Sequence, residues 1–104
     1  MSQFDVFENP ITRARRAYPF LVVLQADIAN ASHERIVAPL VARARLSTAL
    51  GRLTPIVKID GEQYVVLVPN LVAVRVADLR AVRGRLTAHR TELVAALDYL
   101  FLGV

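Results

Sequence analysis

The sequence predicts a mainly β domain completed by one C-terminal α-helix: a small barrel or a pair of packed sheets, with the helix covering an open side. Three observations carry this. Short runs rich in Val, Ile, Leu and Phe recur between Pro, Gly and Asn turn signals. Asp60-Gly61 joins two of those runs in the manner of a β-hairpin. The stretch from Leu86 to Phe101 then changes character, with no Gly or Pro and few β-branched residues.

About five short strands are expected between residues 3 and 76. Phe4-Asp5-Val6-Phe7 reads as the first, ended by Asn9-Pro10. Ile11 to Ala17 carries Arg13, Arg15 and Arg16 and reads as an exposed loop or irregular edge. Phe20 to Leu24 is a continuous apolar run, the pattern of a buried strand. Ala26 to Glu34 is polar and reads as a loop. Arg35 to Ala38 is the next strand, closed or bulged at Pro39, which has no N–H to give to a ladder; Leu40 to Leu46 is a possible extension. Ser47 to Leu50 is ambiguous and is compatible with one helical turn capped by Ser47 and ended by Gly51.

The hairpin is the sharpest local signal. Ile56 to Ile59 and Glu62 to Val68 flank Asp60-Gly61, which supplies the positive φ angles of a type I′ turn, and Pro55 and Pro69 bracket the pair. Leu71 to Val76 reads as a further strand. In the last segment, Leu86, Leu93, Val94, Leu97, Leu100 and Phe101 fall at helical spacing on one face. The expected helix runs over about 87–101, with Thr87 as N-cap and Gly103 just past its C-terminus.

Composition narrows the function. A chain of 104 residues is the size of one domain. The hydrophobic fraction of 55% and mean hydropathy of +0.41 are those of a chain with a core, not a disordered one. The longest apolar stretch, Tyr18 to Ala29, is interrupted by Pro19, Gln25 and Asp27 and is short of the ~20 residues that span a bilayer. The first residues lack the pattern of a signal peptide, so a cytoplasmic, soluble protein is expected. With no cysteine, disulfides, thiolate metal sites and thiol nucleophiles drop out. The net charge of +4 comes from dispersed arginines, a pattern open to an acidic partner, to nucleic acid or to plain solvation.

Catalytic patterns are poor. His33 and His89 lie far apart without metal-ligand spacing, and the four glycines are isolated, so neither a zinc motif nor a phosphate loop is formed. The acids make no recognisable catalytic pair, and Asp60 and Glu62 read as solvated turn residues. A nuclease needs only a positioned base and a cation, a role for which Arg43, Arg45, Ser47 and Thr48 are candidates without diagnostic spacing. The seven aromatics lie mostly on apolar segments and read as core, not as a stacking surface for bases. The segment Leu100-Phe101-Leu102-Gly103-Val104 stands out, because chain ends are usually polar and frayed. It is to be tucked into the core, buried in a dimer or presented to a partner.

Taken in order, five segments resemble the CcdB toxin family. They are Gln3 to Phe7, Phe20 to Asp27, Arg35 to Leu40, Leu53 to Glu62, and His89-Arg90 through Phe101, Gly103 and Val104. Each alone is weak; their order over nearly the whole chain is specific. The resemblance implies an SH3-like barrel with a C-terminal helix, the fold also used by toxins that cut messenger RNA. It implies a homodimeric toxin of a type II toxin–antitoxin system that is not an enzyme and takes no cofactor. Such a toxin binds the A subunit of DNA gyrase, traps it on cleaved DNA, and is neutralised by a CcdA-like antitoxin with a disordered acidic region. The family's poisoning residues, Trp-Gly-Ile, fall on Leu102, Gly103 and Val104, with Gly103 matching and Leu102 the main departure. Leu100 and Phe101 fall where the family builds its dimer contact and core. A messenger-RNA endonuclease and a degenerate toxin that only binds antitoxin are the alternatives, since fold does not fix function.

Overall fold

A computed structural model describes residues 1–29, 32–47 and 50–104. Thr48, the middle of the turn expected over Ser47 to Leu50, and Asn30 in the loop Ala26 to Glu34 lie outside the described residues. The strands are β1 (Asp5–Glu8), β2 (Phe20–Val23), β3 (Glu34–Ala42), β4 (Ile56–Ile59), β5 (Glu62–Val66), β6 (Val72–Arg75) and β7 (Val82–Arg85), followed by the helix α1 (Arg90–Leu102). All join one antiparallel sheet in the order β4-β5-β3-β2-β1-β7, with β6 also on β3. The result is a mostly β, curled half-barrel with a C-terminal helix.

The long strand β3 organises the sheet. One edge pairs with β2 through Val37–Leu40, while the other takes β5 at Leu40–Ala42 and β6 at Glu34–Val37. Between β5 and β6 the chain swings out into a 3-10 turn, Val68–Asn70. This explains how β3 is not closed at Pro39 but runs through it to Ala42, part of the way along the extension that the sequence left open over Leu40 to Leu46. The Pro39 carbonyl accepts the Leu67 N–H at 2.9 Å, so its imide nitrogen faces the same edge, where the neighbouring chain leaves for that turn. The missing donor therefore costs no ladder bond.

Both faces of the central strands are buried. Val6, Val22, Ala38 and Leu40 point to one side, where Leu86, Leu93 and Ala96 cover them. Phe7, Leu21, Val23 and Val37 point to the other, beneath Leu79. Two buried faces are why β2 reads as an unbroken apolar run, whereas β4, with Val57 and Ile59 buried and Ile56 and Lys58 exposed, alternates.

Two turns fix the frame. Asp60 (φ 52°) and Gly61 (φ 80°) both take the left-handed region, the type I′ geometry expected of the hairpin, with Ile59 opposite Glu62. At the start of β1, Phe4 is held at φ 71°. The neighbouring Asp5 carboxylate, buried, accepts the Ser2 N–H at 2.9 Å and pairs with Arg85 at 3.3 Å. These anchors hold a backbone conformation that a bulky residue rarely adopts.

Four sequence expectations need correction. β7 was not foreseen: it pairs only with β1, with Arg83 bulged out between the Phe7–Val82 and Val6–Gly84 pairs. β5 stops at Val66 and β6 at Arg75, each running into a 3-10 turn. Thr87 is not the N-cap of the helix: Thr87–His89 form a 3-10 turn, and α1 begins at Arg90 with no side-chain cap. Phe101 does not join the buried helix face and is 67% exposed; Tyr18 and Tyr99 are also exposed, so the aromatics are not all core.

Candidate protein-binding site

The helix α1 lies on the sheet through Leu93 and Ala96, both fully buried, with Val94, Leu97 and Leu100 packed at the margin of the same core. A helix fixed by its middle presents its far end rigidly. There Phe101 (67%), Leu102 (71%) and Val104 (76%) are largely exposed. Gly103 ends the helix in the left-handed conformation (φ 73°), its N–H donating to the Tyr99 carbonyl at 3.0 Å. With nothing within 4 Å of where a Cβ would stand, the glycine is there for its φ angle, not for lack of room.

Of the residues singled out from sequence, Phe101, Leu102, Gly103 and Val104 thus come together as one exposed end, while Leu100 is half-buried against the core. Successive helical residues are about 100° apart, so Phe101 and Leu102 face different directions. Tyr99, three residues before Leu102, shares its face. The Tyr99 ring carries the guanidinium of Arg52 at 4.2 Å from its centroid. Sequence reasoning missed both. Tyr99 was within reach through its i, i+3 spacing to Leu102, but nothing local connects Arg52 to the helix.

The other candidate groups are structural or dispersed. Arg43 and Arg45 lie in a 3-10 turn, where Arg45 donates to the Arg16 carbonyl at 2.9 Å, and Ser47 is exposed. His33 is exposed; His89 is half-buried and its Nε2 accepts the Lys58 N–H at 3.4 Å. Glu8 is clasped by Arg15 at 3.3 Å and Arg83 at 3.2 Å. Asn9, buried, ties down the loop before β2, donating to the Tyr18 carbonyl and accepting the Ile11 N–H, both at 2.9 Å. Among the described residues no three His, Cys, Asp or Glu side chains cluster as metal ligands. No helix there is long and apolar enough to cross a membrane.

The arrangement suits contact better than chemistry: an apolar, rigid helix end with a cation beside it. A comparison with protein families points the same way. The model of the family described as CcdB protein matches residues 3–103. A search of curated proteins gives no match.

Proposed function

The chain belongs to the CcdB protein family, toxins of toxin–antitoxin systems, and on that premise we propose that it binds the A subunit of DNA gyrase through the end of α1 and poisons the topoisomerase. The observation that carries this is the exposed group Leu102-Gly103-Val104 at the tip of a helix whose middle is locked to the core. A monomeric protein gains nothing from holding the Leu102 and Val104 side chains in water; a partner surface that buries them gains ~25 cal/mol for each Å² of apolar area removed from solvent.

Three further parts belong to the reading. The protein is one domain that acts in the cytoplasm, where gyrase works. It forms a homodimer with Leu100 and Phe101 at the contact. A cognate CcdA-like antitoxin, acidic against this chain's net charge of +4, neutralises it. The toxin acts by occupancy and not by catalysis, so it takes no cofactor.

The test is gyrase supercoiling with purified protein, assayed for cleaved complexes, against a folded variant lacking Leu102 and Gly103. Linear DNA that accumulates with the intact chain and not with the deletion supports poisoning through the helix end. The absence of both inhibition and cleaved complex with the gyrase of its own host would sink the reading. RNA cleavage that ignores the deletion would replace it with the nuclease reading.

A further inference from the structure

Arg52 is presented by a closed turn. The Gly51 N–H donates to Thr54 Oγ1 at 2.9 Å, and the Thr54 N–H returns to the Gly51 carbonyl at 3.1 Å, which puts Arg52 at the tip. From there its guanidinium lies against the Tyr99 ring, 4.2 Å from the centroid. The guanidinium is itself planar and carries its N–H donors as a fork in that plane, and its contact with the ring limits the positions that fork can take.

Among the described residues no carboxylate uses that fork: the ion pairs there are those of Arg15 and Arg83 with Glu8, Arg75 with Asp78 and Arg85 with Asp5. A hollow of about 450 Å³ lined by Gly51, Arg52, Leu53, Thr54, Pro69 and Tyr99 opens beside the stack. Tyr99 and Leu102 share a helix face, so the cation stands next to the apolar end and not on a separate surface.

The geometry points to Arg52 as a specificity-determining contact of the target-binding surface: held over the Tyr99 ring, it receives an Asp or Glu carboxylate of the bound protein beside the site that takes Leu102. This rests on the gyrase reading above, with the acidic group on the gyrase A subunit. A pre-placed guanidinium loses little freedom on binding, and a bidentate pair fixes the orientation of the two surfaces. Arg52 is exposed, so its removal leaves the core intact.

The experiment is calorimetric titration of full-length gyrase A subunit with wild type, Arg52→Ala, Arg52→Gln, Arg52→Lys, Tyr99→Phe and Leu102→Asp, at low and high salt. Thermal melts run alongside. Arg52→Ala and Arg52→Gln should melt as wild type, bind about tenfold or more weakly, and lose part of the salt dependence. Arg52→Lys should fall between, since it keeps the charge and loses the fork, and Tyr99→Phe should bind as wild type because the ring remains. If either neutral variant keeps wild-type affinity while Leu102→Asp loses it, the Arg52 contact is wrong and the gyrase reading stands. If wild type itself does not bind, both are overturned.

Discussion

Leu102 is the residue on which affinity should turn. It is 71% exposed and lies six residues, more than one helical turn, beyond Ala96, the last fully buried residue of α1, although Leu100 between them still touches the core. Burying an exposed Leu side chain in a partner pocket contributes about 1.5–3 kcal/mol, and aspartate in its place would instead have to shed its hydration. Leu102→Asp should therefore weaken target binding by at least about tenfold with an unchanged melting temperature, as a titration paired with a thermal melt would show. Leu102→Trp tests the opposite sense. A broad ring with an N–H donor offers more contact than Leu, so tighter binding is expected, and a weaker complex would mean that the partner pocket is fitted to the smaller side chain. Tyr64 sets a different kind of residue-scale expectation. Its ring meets Phe20 edge-on at 5.4 Å, and its hydroxyl donates to Glu62 at 3.2 Å. Burial first, and then the Glu62 carboxylate, hold the phenol above its usual value of 10.0. The fold thus favours the neutral phenol: this contribution to stability is complete below about pH 10 and is lost as pH rises through the folded value. Tyr64→Phe keeps the ring contact and should show a smaller alkaline loss of stability in chemical denaturation between pH 9 and 11; an identical loss would remove Tyr64 from the account.

At the scale of elements, the β4–β5 hairpin is the piece most dependent on single backbone angles. Gly61 sits at φ 80° with open space around it, so Gly61→Ala tests conformation without a clash. An L-residue in that region costs about 1–2 kcal/mol, and at about 1 kcal/mol the melting temperature of a domain this size should fall by about 4–8 °C. Asp60→Asn should be close to neutral, because Asn accepts the same left-handed angle. This hairpin was also the most legible element, since its turn chemistry is local and both residues are named by the geometry. β1 and β2 were legible because their apolar runs are buried by the sheet on both faces. β7 was not: Val82-Arg83-Gly84-Arg85 has no apolar alternation, and it is a strand only because β1 offers an edge and Asp5 and Glu8 receive Arg85 and Arg83. The helix start was misread for a related reason. Thr87 has the right chemistry for a cap, but Leu86, fully buried, and its carbonyl bond from the His89 N–H hold the chain in a tighter turn for three residues. Of the site, the exposed end from Phe101 to Val104 could be read from its sequence, whereas Arg52 reaches Tyr99 only through the folded sheet.

For the whole molecule, the proposed reading asks one helix end to serve both a second copy and a target. Phe101 and Leu102 point about 100° apart around α1, and Tyr99 and Arg52 lie on the Leu102 side. The end of the helix therefore has two apolar directions, and the half-buried Leu100 is close to the first through its neighbour Phe101. A two-fold axis beside Phe101 would bring the same residue from both copies together, the self-complementary contact of an isologous dimer. It would leave the two Leu102 faces free for the target. Such a dimer presents two copies of the binding face, and linking two faces raises apparent affinity without any new contact. Phe101→Asp would place two carboxylates opposite each other at the axis. Light scattering should then give wild type at twice the 11.5 kDa chain mass and Phe101→Asp at the single chain mass, with its fold kept because Phe101 contributes no buried contact to the core. The same variant should bind the target more weakly only where both faces can engage, and as tightly as wild type to a single immobilised site at low density. A wild type that stays monomeric across the concentration range, or a Phe101→Asp variant that remains a dimer, would move the two-fold axis elsewhere and leave both sides of the helix end to the target.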